Sequence, residues 1–400
     1  MLADYPQATG GSAADLEVSI AGSISAIDGQ DWDRLNVAAS PFLSHAFLSQ
    51  LEERRLVGSG SGWRPCHATA RANGDLLAAM PMYAKTNSFG EFVFDWVWAE
   101  AFRRWRRRYF PKLVVAVPFT PVPGQRLLAQ SEAHLTAALP ALLKYFEGTL
   151  AAGPYSSMHV LFPLSAEIEL LARHGFLRRL DCRFLWRNLE FKDFDHFLEI
   201  FNARQRKNIR RERRKVRESG VTFKWLRADE LDAESWSQVH AICASTFLLR
   251  GQRPYLDAGF FVGLAERIPE QLLVNVALLK GDIVAAAIFF KDQRCLYGRY
   301  WGSTVDIDCL HFECCYYQGI DYAIAAGLEI FDPGTQGEHK LRRGFAPVQS
   351  WSLHRFAESQ IERAIAAWLT RESQVVAEYI RKTRNEMPFT DPFEDDKNFL

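Results

Sequence analysis

Two histidines, a glutamate and a lysine in the C-terminal part of the chain are the residues best suited to acid–base chemistry. They are His311, Glu313, His339 and Lys340. His311 and Glu313 stand in a stretch that is apolar on nearly every helical face, where polar side chains are costly to keep. A neutral imidazole or a carboxylate there can take the proton of an attacking amine. Glu313 competes with His311 for this role, because helix stability alone also favours a carboxylate in a first turn.

Local signals predict the elements that position these residues. β-Forming residues predict a strand over Cys295–Trp301, and a buried helix is predicted over Cys309–Ala326. We expect Asp308 to cap the start of this helix and Gly327 to end it. A short buried strand over Leu328–Phe331 follows and leads into a polar loop.

The polar loop leaves the second strand at its carboxyl end, which is where α/β sheets usually place ligands. Its candidate substrate-binding residues are Asp332, Gly334, Gln336 and Glu338. Acyl transfer to an amine also needs hydrogen-bond donors for a tetrahedral oxyanion. Backbone N–H groups at the splayed end of the first strand, around residues 297–301, are expected to supply them.

The bulk composition is that of an ordinary globular protein. Its 400 residues exceed what one core usually organises, so two domains are expected. Lys+Arg and Asp+Glu are equal at 48 each, which excludes a global attraction to nucleic acid or to an anionic membrane. The seven cysteines include no CxxC pair, which favours a reducing compartment and argues against a disulfide framework or a zinc knuckle. The ten histidines are dispersed, so no metal site is expected.

Targeting and catalytic motifs are lacking in the sequence. Residues 1–15 have neither the basic start nor the apolar core of a signal peptide. The longest clean apolar run, Ile283–Phe290, is too short to span a bilayer. These features predict a cytoplasmic protein with no transmembrane segment. No Walker loop, Gly-x-Ser-x-Gly elbow or His-Glu-x-x-His motif is present.

Two hairpins in corresponding positions indicate that the chain contains two similar halves. Asn73-Gly74 joins two apolar runs in the first half, and Asn-Gly is the strongest short-range hairpin signal. Gly281-Asp282 joins two runs of the same spacing in the second half. The predicted organisation is a disordered start (1–15), an N-terminal lobe (16–190), a C-terminal lobe (191–385) that ends in a long helix, and an acidic tail (386–400).

A strongly basic helix is predicted over residues 202–219. From Arg204 to Arg217 it has nine Lys or Arg residues and one Glu, with only Ile209 and Val216 as apolar contacts. Like charges four residues apart destabilise a helix, so packing does not explain them. The functional interpretation is a polyanion-binding surface, and the alternative is a merely solvated face. The candidate binding residues are Arg206, Lys207, Arg210, Arg211 and Arg214.

Aromatic residues form a second cluster in the first half. Phe92, Phe94, Trp96 and Trp98 alternate, which predicts four aromatic side chains on one face of a strand. That face is either part of the core or the floor of a groove for a greasy or aromatic acyl group. The following run, RRWRRRYF from residue 103 to 110, suits phosphates and stacked bases, or else a surface helix that buries Trp105 and Tyr109.

Several of these motifs resemble one known family. GRYWG, LHFECCYYQGIDYAI and GTQGEHKLRRGF are similar to the Fem-like "peptidoglycan biosynthesis/recognition" family of bacteria, within the GNAT acyltransferase superfamily. SPFLSHAFLSQLEE, FVFDWVWAEAF and YFPKLVVAVPFTPVPGQRLL extend the resemblance over most of the chain. It implies an α/β fold of two tandem GNAT-like lobes with mixed sheets and a C-terminal helix.

The resemblance also implies an activity. Fem-type enzymes transfer an acyl or aminoacyl group to an amine acceptor, which here would be a peptidoglycan precursor or another small molecule. Lys340 matches a lysine of those enzymes and would neutralise a phosphate or carboxylate. The donor is either acyl-CoA or aminoacyl-tRNA, and tRNA would also suit the basic helix. The alternatives are an acyl-CoA-dependent N-acetyltransferase and a non-catalytic protein that binds cell-wall precursors or RNA.

A CoA pyrophosphate would need a helix N-terminus with a Gly-rich signature. Arg299, Tyr300 and Gly302 occupy the corresponding place in the second half, although this stretch ends in Thr304 and lies several residues before the helix. Gly124 and Arg126 form a second imperfect candidate in the first half. Fem-type enzymes lack a strict CoA signature, so the sequence leaves the donor open.

Overall fold

Strands and helices follow one another in the same order in both halves of the chain. The structure, a computed structural model, describes residues 16–335 and 337–390. The strands are β1 (Leu16–Ala21), β2 (Trp63–Pro65), β3 (His67–Ala72), β4 (Asp75–Met80), β5 (Met82–Lys85), β6 (Lys112–Val115), β7 (Leu128–Ala129), β8 (Ser157–Leu161), β9 (Leu177–Arg187), β10 (Val221–Arg227), β11 (Leu272–Leu279), β12 (Asp282–Lys291), β13 (Cys295–Ser303), β14 (Ile330–Asp332) and β15 (Ala346–Phe356).

Helices separate these strands on both sides of the sheets. They are α1 (Gly29–Leu35), α2 (His45–Glu53), α3 (Trp96–Arg104), α4 (Glu132–Ala152), α5 (Ser165–Arg173), α6 (Phe194–Leu198), α7 (Ala203–Glu218), α8 (Ala233–Leu248), α9 (Ala258–Arg267), α10 (Leu310–Phe312), α11 (Gln318–Ala325) and α12 (Ser359–Asn385). The predicted C-terminal helix is confirmed as α12, and the predicted α/β class is confirmed.

The order of strands in space is the same in the two halves. The second half runs β10-β11-β12-β13-β14-β9 within an 11-stranded sheet. The first half runs β1-β3-β4 and, after a break at Pro81, β5-β6-β8-β15. The only parallel neighbours that the described strands form are β6 with β8 and β13 with β14, which are corresponding pairs. The predicted tandem architecture is therefore confirmed.

The two hairpins match in detail. The turn residues Asn73 and Gly74 have φ of 52° and 91°. The second turn lies one residue earlier than predicted, at Lys280 and Gly281, with φ of 56° and 97°. These left-handed angles are those of a turn that follows the strand twist, and the second residue of each turn is glycine, which adopts them without strain. Each hairpin also has its register shift three residues before the turn, after Ala70 and after Ala277. Such agreement indicates that the same unit occurs twice.

The last strand of each half lies in the other half. β9 belongs to the first half by sequence but pairs with β14 and β15, both from the second. β15 belongs to the second half but pairs with β8 of the first. The predicted division of the chain at residue 190 stays a prediction, and strands cross it in both directions.

One hydrophobic core joins the halves on one side of this sheet. Phe42, just before α2, contacts the rings of Phe290 and Tyr297 with centroids 5.0 and 5.1 Å apart. Phe47 of α2 contacts Phe260 of α9 at 5.2 Å. Because these contacts connect helices of the first half to strands and helices of the second, the halves share buried surface as well as strands.

The predicted aromatic strand at residues 92–98 is wrong. Helix α3 begins at Trp96, and Phe92 has a left-handed φ of 59°. Trp98 is buried, whereas Trp96 is 66% exposed, so the alternating aromatics do not share one face. In the following basic run, Tyr109 is buried as expected, but Trp105 is 45% exposed.

The chain ends differ in what the structure describes. Residues 1–15 and 391–400, predicted as a disordered start and as most of the acidic tail, lie outside the described residues. The first residues after α12 are packed: Met387 is buried, and Phe201 and Phe389 form an antiparallel bridge. Within residues 16–335 and 337–390, no helix is long and apolar enough to cross a bilayer.

We expect that neither half of the chain folds alone. A fragment of residues 16–190 would contain β9 without either of its strand neighbours, because both belong to the second half. The fragment should show no cooperative thermal unfolding transition, whereas residues 16–390 should show one, and co-expressed halves should form a complex. A cooperative transition of the isolated fragment near that of the whole chain would contradict the strand exchange.

Candidate functional site

Two parallel strands of the second half separate at the centre of the candidate site. β13 and β14 pair only over Cys295–Tyr297 and Ile330–Asp332, while β13 continues to Ser303. The loop after β14 lies over the gap: a Cβ added to Gly334 would stand 3.5 Å from the carbonyl oxygen of Gly298. Among the strands that the structure describes, none fills this gap, and of the β13 backbone groups beyond Tyr297 the carbonyl of Trp301 accepts from Thr246 of α8 at 2.8 Å.

Lys340 is buried against the same loop. It lies in a short 3-10 helix over Glu338–Arg343, is 1% exposed, and donates from Nζ to the carbonyl of Gly334 at 2.6 Å. Burial lowers the pKa of Lys340 to about 8, although Asp332 opposes this effect. Its ammonium can therefore exchange a proton near physiological pH.

An ion pair between the two halves lies close to Lys340. Arg183 of β9 is 2% exposed and donates through Nη2 to Oδ2 of Asp332, whose Oδ1 accepts from the Gly334 N–H at 3.0 Å. Nε and Nη1 of Arg183 are buried and find no partner among the described residues. Unpaired buried donors are costly, so this guanidinium is suited to an anionic oxygen from a bound molecule.

Arg299 adds a third cation to the cluster. It occupies a bulge of β13, and its Nη2 donates to the carbonyl of Phe119, in a loop of the first half, at 2.7 Å. Burial lowers the pKa of Arg299, and Arg183 adds to that effect while Asp332 opposes it. Three cations, Arg183, Arg299 and Lys340, thus interact with the single carboxylate of Asp332. The positive excess favours an anionic ligand.

The predicted buried helix after β13 is continuous from Leu310 to Ala325 and contains one wide turn. α10 is only three residues long, and Glu313–Tyr317 form a π-turn before α11. Gly327 ends α11 with a φ of 66°, as predicted. The predicted cap is wrong: Cys309, with a φ of 69°, precedes the helix, and Asp308 instead pairs with Lys215. π-Turns are frequent at functional sites because they displace side chains from the regular helical positions.

His311 lies half-buried among aromatic rings near the start of this helix. Its ring centroid is 5.2 Å from that of Trp301 and 5.4 Å from that of Tyr316. Burial lowers the pKa of His311 to about 4, and the neighbouring His339 adds to the effect. The imidazole is therefore neutral at physiological pH and can accept a proton.

Glu313 is occupied by other contacts. Both of its carboxylate oxygens accept from Arg213 of α7, and Oε1 also accepts from Gln318 at 2.9 Å. Burial raises the pKa of Glu313, while Arg213 opposes the rise. A carboxylate held in this way fastens α7 to the helix, so His311 is the better candidate for the base.

His339 is exposed and lies next to His311. Its Nε2 is 2.8 Å from the hydroxyl of Tyr316, and its ring centroid is 6.0 Å from that of His311. Burial lowers the pKa of His339, and the adjacent Lys340 adds to the effect. The structure thus brings His311, His339 and Lys340 together and assigns Glu313 to a structural pair.

The basic helix is confirmed as α7, and its two faces differ. Ile209 and Val216 are buried, as predicted, and Arg206 also turns inward and donates to the carbonyl of Phe201. Arg210 is exposed but pairs with Asp195 at 3.0 Å. The cations that share the outward face at helical spacing are Arg204, Lys207, Arg211, Arg214 and Lys215.

The predicted CoA-binding residues of the second half lie inside β13. Tyr300 is buried, and its ring packs against Phe247 at 5.5 Å. A Cβ added to Gly302 would lie 1.8 Å from the carbonyl oxygen of Ile242, so this glycine allows α8 to approach the strand. Both residues therefore pack against other elements of the second half, and their role toward CoA stays a prediction.

The first-half candidates for CoA binding, Gly124 and Arg126, are hydrogen-bonded to backbone carbonyls of the first half. Arg126 is 1% exposed and donates to the carbonyls of Leu161, Val122 and Gln125 at 2.7 to 2.9 Å. The preceding turn contains Gly124, whose N–H donates to the carbonyl of Phe162 at 3.1 Å. The guanidinium of Arg126 is satisfied by carbonyls of its own half, which is a structural function.

The remaining predicted residues lie at the edge of the site. Gln336 lies outside the described residues. Glu338 is exposed and accepts from the hydroxyl of Tyr379 of α12 at 2.9 Å. Over residues 16–335 and 337–390, no group of three His, Cys, Asp or Glu side chains is placed to hold a metal ion.

Sequence reasoning missed Arg183, Arg213 and Tyr316. Arg183 stands directly before the apolar run Phe184–Trp186 of β9, and a charge next to such a run is a signal that could have identified it. Arg213 stands among so many other cations that its inward direction follows only from the helix packing.

Lys340 predicts a pH dependence of stability. Its pKa in the folded protein, about 8, lies below the ordinary 10.5, so the unfolded chain binds more protons between these values. The free energy of unfolding should therefore rise by up to about 3 kcal/mol from pH 8 to 10.5 because of this group. Denaturant titrations across this range should show the rise in wild type and its loss in Lys340→Met.

The matched control is Lys144→Met on α4, because Lys144 is exposed. This variant should keep the wild-type dependence on pH. A Lys340→Met profile parallel to that of wild type would show that burial does not lower the pKa of Lys340 in the folded protein.

Comparisons with solved structures show the fold. FemX aligns over 85% of this chain and 98% of its own, with a TM-score of 0.52 and 12% identity. The C-terminal DUF2156 domain of a putative lysylphosphatidylglycerol synthetase from Agrobacterium fabrum aligns over 87% and 96%, with a TM-score of 0.50 and 11% identity. A tandem GNAT protein from the clavulanic acid biosynthesis pathway aligns over 86% and 99%, with a TM-score of 0.43 and 9% identity.

The comparison with curated protein sequences gave no match. The family comparison matched residues 23–391 to the FemAB-like model, described as peptidoglycan biosynthesis/recognition. This range covers both halves, the exchanged strands and the loop that holds Lys340. The chain therefore belongs to the FemAB-like family, and it shares its fold with FemX.

Proposed function

We propose that the protein transfers an acyl or aminoacyl group to the amine of an acceptor at the gap between β13 and β14. The observation that carries this proposal is the cluster behind the gap, where Lys340 and Arg183 lie buried beside the loop over Gly298. A cationic cluster with unpaired donors next to a neutral imidazole provides both the charge and the base that such a transfer needs.

The chemistry is a direct displacement without a covalent enzyme intermediate. The acceptor nitrogen attacks the acyl carbonyl carbon, the new C–N bond forms, and the ester or thioester bond to the leaving group breaks. His311 takes the proton of the amine, and the leaving hydroxyl or thiol receives a proton in return. Backbone N–H groups of β13 beyond Tyr297 and the ammonium of Lys340 stabilise the oxyanion.

Charge at the helix start favours aminoacyl-tRNA over acyl-CoA as the donor. A CoA pyrophosphate would lie where the chain enters α10. That connection carries Asp306, whose exposed carboxylate would repel it, and Asp308, whose carboxylate pairs with Lys215. The outward face of α7, whose Lys215 pairs with Asp308, offers phosphate contacts instead.

The acceptor we propose is a peptidoglycan precursor with a free amine, in the cytoplasm. The family description supports this class of acceptor. The unpaired Nε and Nη1 of Arg183 suit a carboxylate or phosphate that such a precursor carries. A small-molecule amine with an anionic group would fit the same contacts.

A binding screen tests the donor and the base together. Acetyl-CoA, a longer acyl-CoA, charged tRNA and uncharged tRNA would be titrated into the protein, and we expect charged tRNA to bind best. With that donor and an amine acceptor, His311→Ala should lower the transfer rate by about 100-fold or more, as loss of a general base does. Glu313→Gln, which keeps hydrogen-bonding capacity toward Arg213, is the control and should retain most of the rate.

Turnover that survives both His311→Ala and Lys340→Ala would show that the site lies elsewhere in the fold. Binding without turnover of any acceptor would favour a non-catalytic protein that recognises precursors or RNA. Tight binding and turnover of acyl-CoA, with no response to tRNA, would support the N-acetyltransferase alternative.

The outward face of α7 predicts a salt dependence. Replacing Arg204, Lys207, Arg211 and Arg214 by Ser should weaken tRNA binding. The slope of log K against log salt concentration should become less steep by about 2 to 4, because fewer counterions are released. The measurement is filter binding across a salt series. Arg206→Ser is the matched control, since Arg206 points to the Phe201 carbonyl and should leave the slope unchanged.

A further inference from the structure

Exposed large apolar side chains are concentrated around α3. Of the eleven large apolar residues that are exposed in the described part of the chain, five lie between residues 89 and 105. Trp96 is 66% exposed, Val97 60%, Phe94 48% and Trp105 45%. Large apolar patches on a soluble surface usually mark a contact with another surface.

A group of arginines adjoins this patch. Arg103, Arg104, Arg106, Arg107 and Arg108 are all exposed. Glu100 pairs with Arg103 and Arg104, and Glu358 with Arg107. The side chains of Arg106 and Arg108 have neither an ion pair nor a hydrogen bond within the described residues, so the surface keeps a positive excess.

α3 itself is firmly held, so these side chains are exposed by the fold. Its inner face buries Trp98 and Phe102, and the Trp98 ring lies 4.6 Å from that of His354. Asp95, just before the helix, accepts from Lys112 and from the hydroxyl of Tyr109 in a buried network. The helix therefore presents Trp96 and Val97 outward in a fixed orientation.

The spacing of the two groups on the helix fits a bilayer surface. Trp96 and Val97 lie in the first turn, and Arg103 and Arg104 lie about 10 Å further along the axis. Apolar and aromatic side chains enter the interfacial region of a bilayer, while arginines reach anionic headgroups. A protein partner would need a matching pocket, and stacked bases would leave Val97 without a π-face to contact.

We infer that the α3 surface, formed by Phe94, Trp96, Val97, Trp105 and the arginines from 103 to 108, docks the protein on an anionic lipid surface. The two parts act together: the aromatic tips insert among headgroups, and the guanidinium groups neutralise lipid phosphates. A short surface with this composition gives reversible binding that weakens as salt rises. The inference stands on this surface alone and does not depend on the proposed transfer.

Vesicle co-sedimentation of the whole chain tests it. Vesicles of phosphatidylcholine alone would be compared with vesicles that also contain phosphatidylglycerol, at low and at high salt. Binding should require phosphatidylglycerol and should fall at high salt. The pair Trp96→Ser with Val97→Ser and the pair Arg106→Ser with Arg108→Ser should each lower the partition coefficient by about tenfold or more.

Two matched pairs serve as controls. Leu248→Ser with Leu249→Ser removes apolar side chains that are 63% and 88% exposed elsewhere, and Lys144→Ser with Arg173→Ser removes exposed cations of α4 and α5. Both should partition as wild type. Absence of wild-type binding to anionic vesicles would overturn the inference, as would equal losses in the control pairs. The inference would also be overturned if the α3 variants bound vesicles normally but lost binding to a protein or an RNA.

Discussion

The pairing of β9 and β15 across the two halves is the constraint on which the candidate site depends. It brings Arg183, which the first half contributes, next to Asp332 of the second half. Removing one partner of a buried ion pair costs about 3 to 5 kcal/mol, so this contact contributes to the association of the halves as well as to the site. A site assembled in this way cannot form in either half alone, although each half repeats the same fold.

α7 connects the outer surface to this site. Its Arg213 holds Glu313 in the π-turn, two residues from His311, and its Glu212 pairs with Arg343, three residues from Lys340. The inner face of α7 thus fixes both segments that carry the candidate base and the candidate cation. A polyanion on the outer face would lie about one helix diameter, roughly 10 Å, from these contacts. This geometry explains why the charges of one helix differ between its faces, with Arg213 and Glu212 held by buried partners inside and an excess of exposed cations outside.

The parts of the fold that depend on local signals could be predicted from the sequence. The Asn73-Gly74 turn, the buried helix that ends at Gly327 and the basic helix with Ile209 inward all follow from a few neighbouring residues. The strand exchange could not be predicted, because β9 has the same apolar pattern whichever half it joins. α3 was missed since four alternating aromatics imitate a strand, whereas the fold buries Trp98 alone and exposes Trp96. His311 and Lys340 could be identified as polar residues in apolar surroundings, but their proximity depends on the packing.

The two halves have diverged at the position that matters for chemistry. By the repeat of strand and turn, Phe162-Pro163 in the first half corresponds to Asp332-Pro333 in the second. Phe162 is buried in the core that joins the halves, while Asp332 is held by Arg183 and by the Gly334 N–H. An apolar side chain at the end of β8 leaves no anion-binding group there, and Arg126 is already bound by carbonyls of that region. Duplication of the fold therefore did not duplicate the cluster: the first half contributes a strand, an arginine and a wall to the one polar gap in the second.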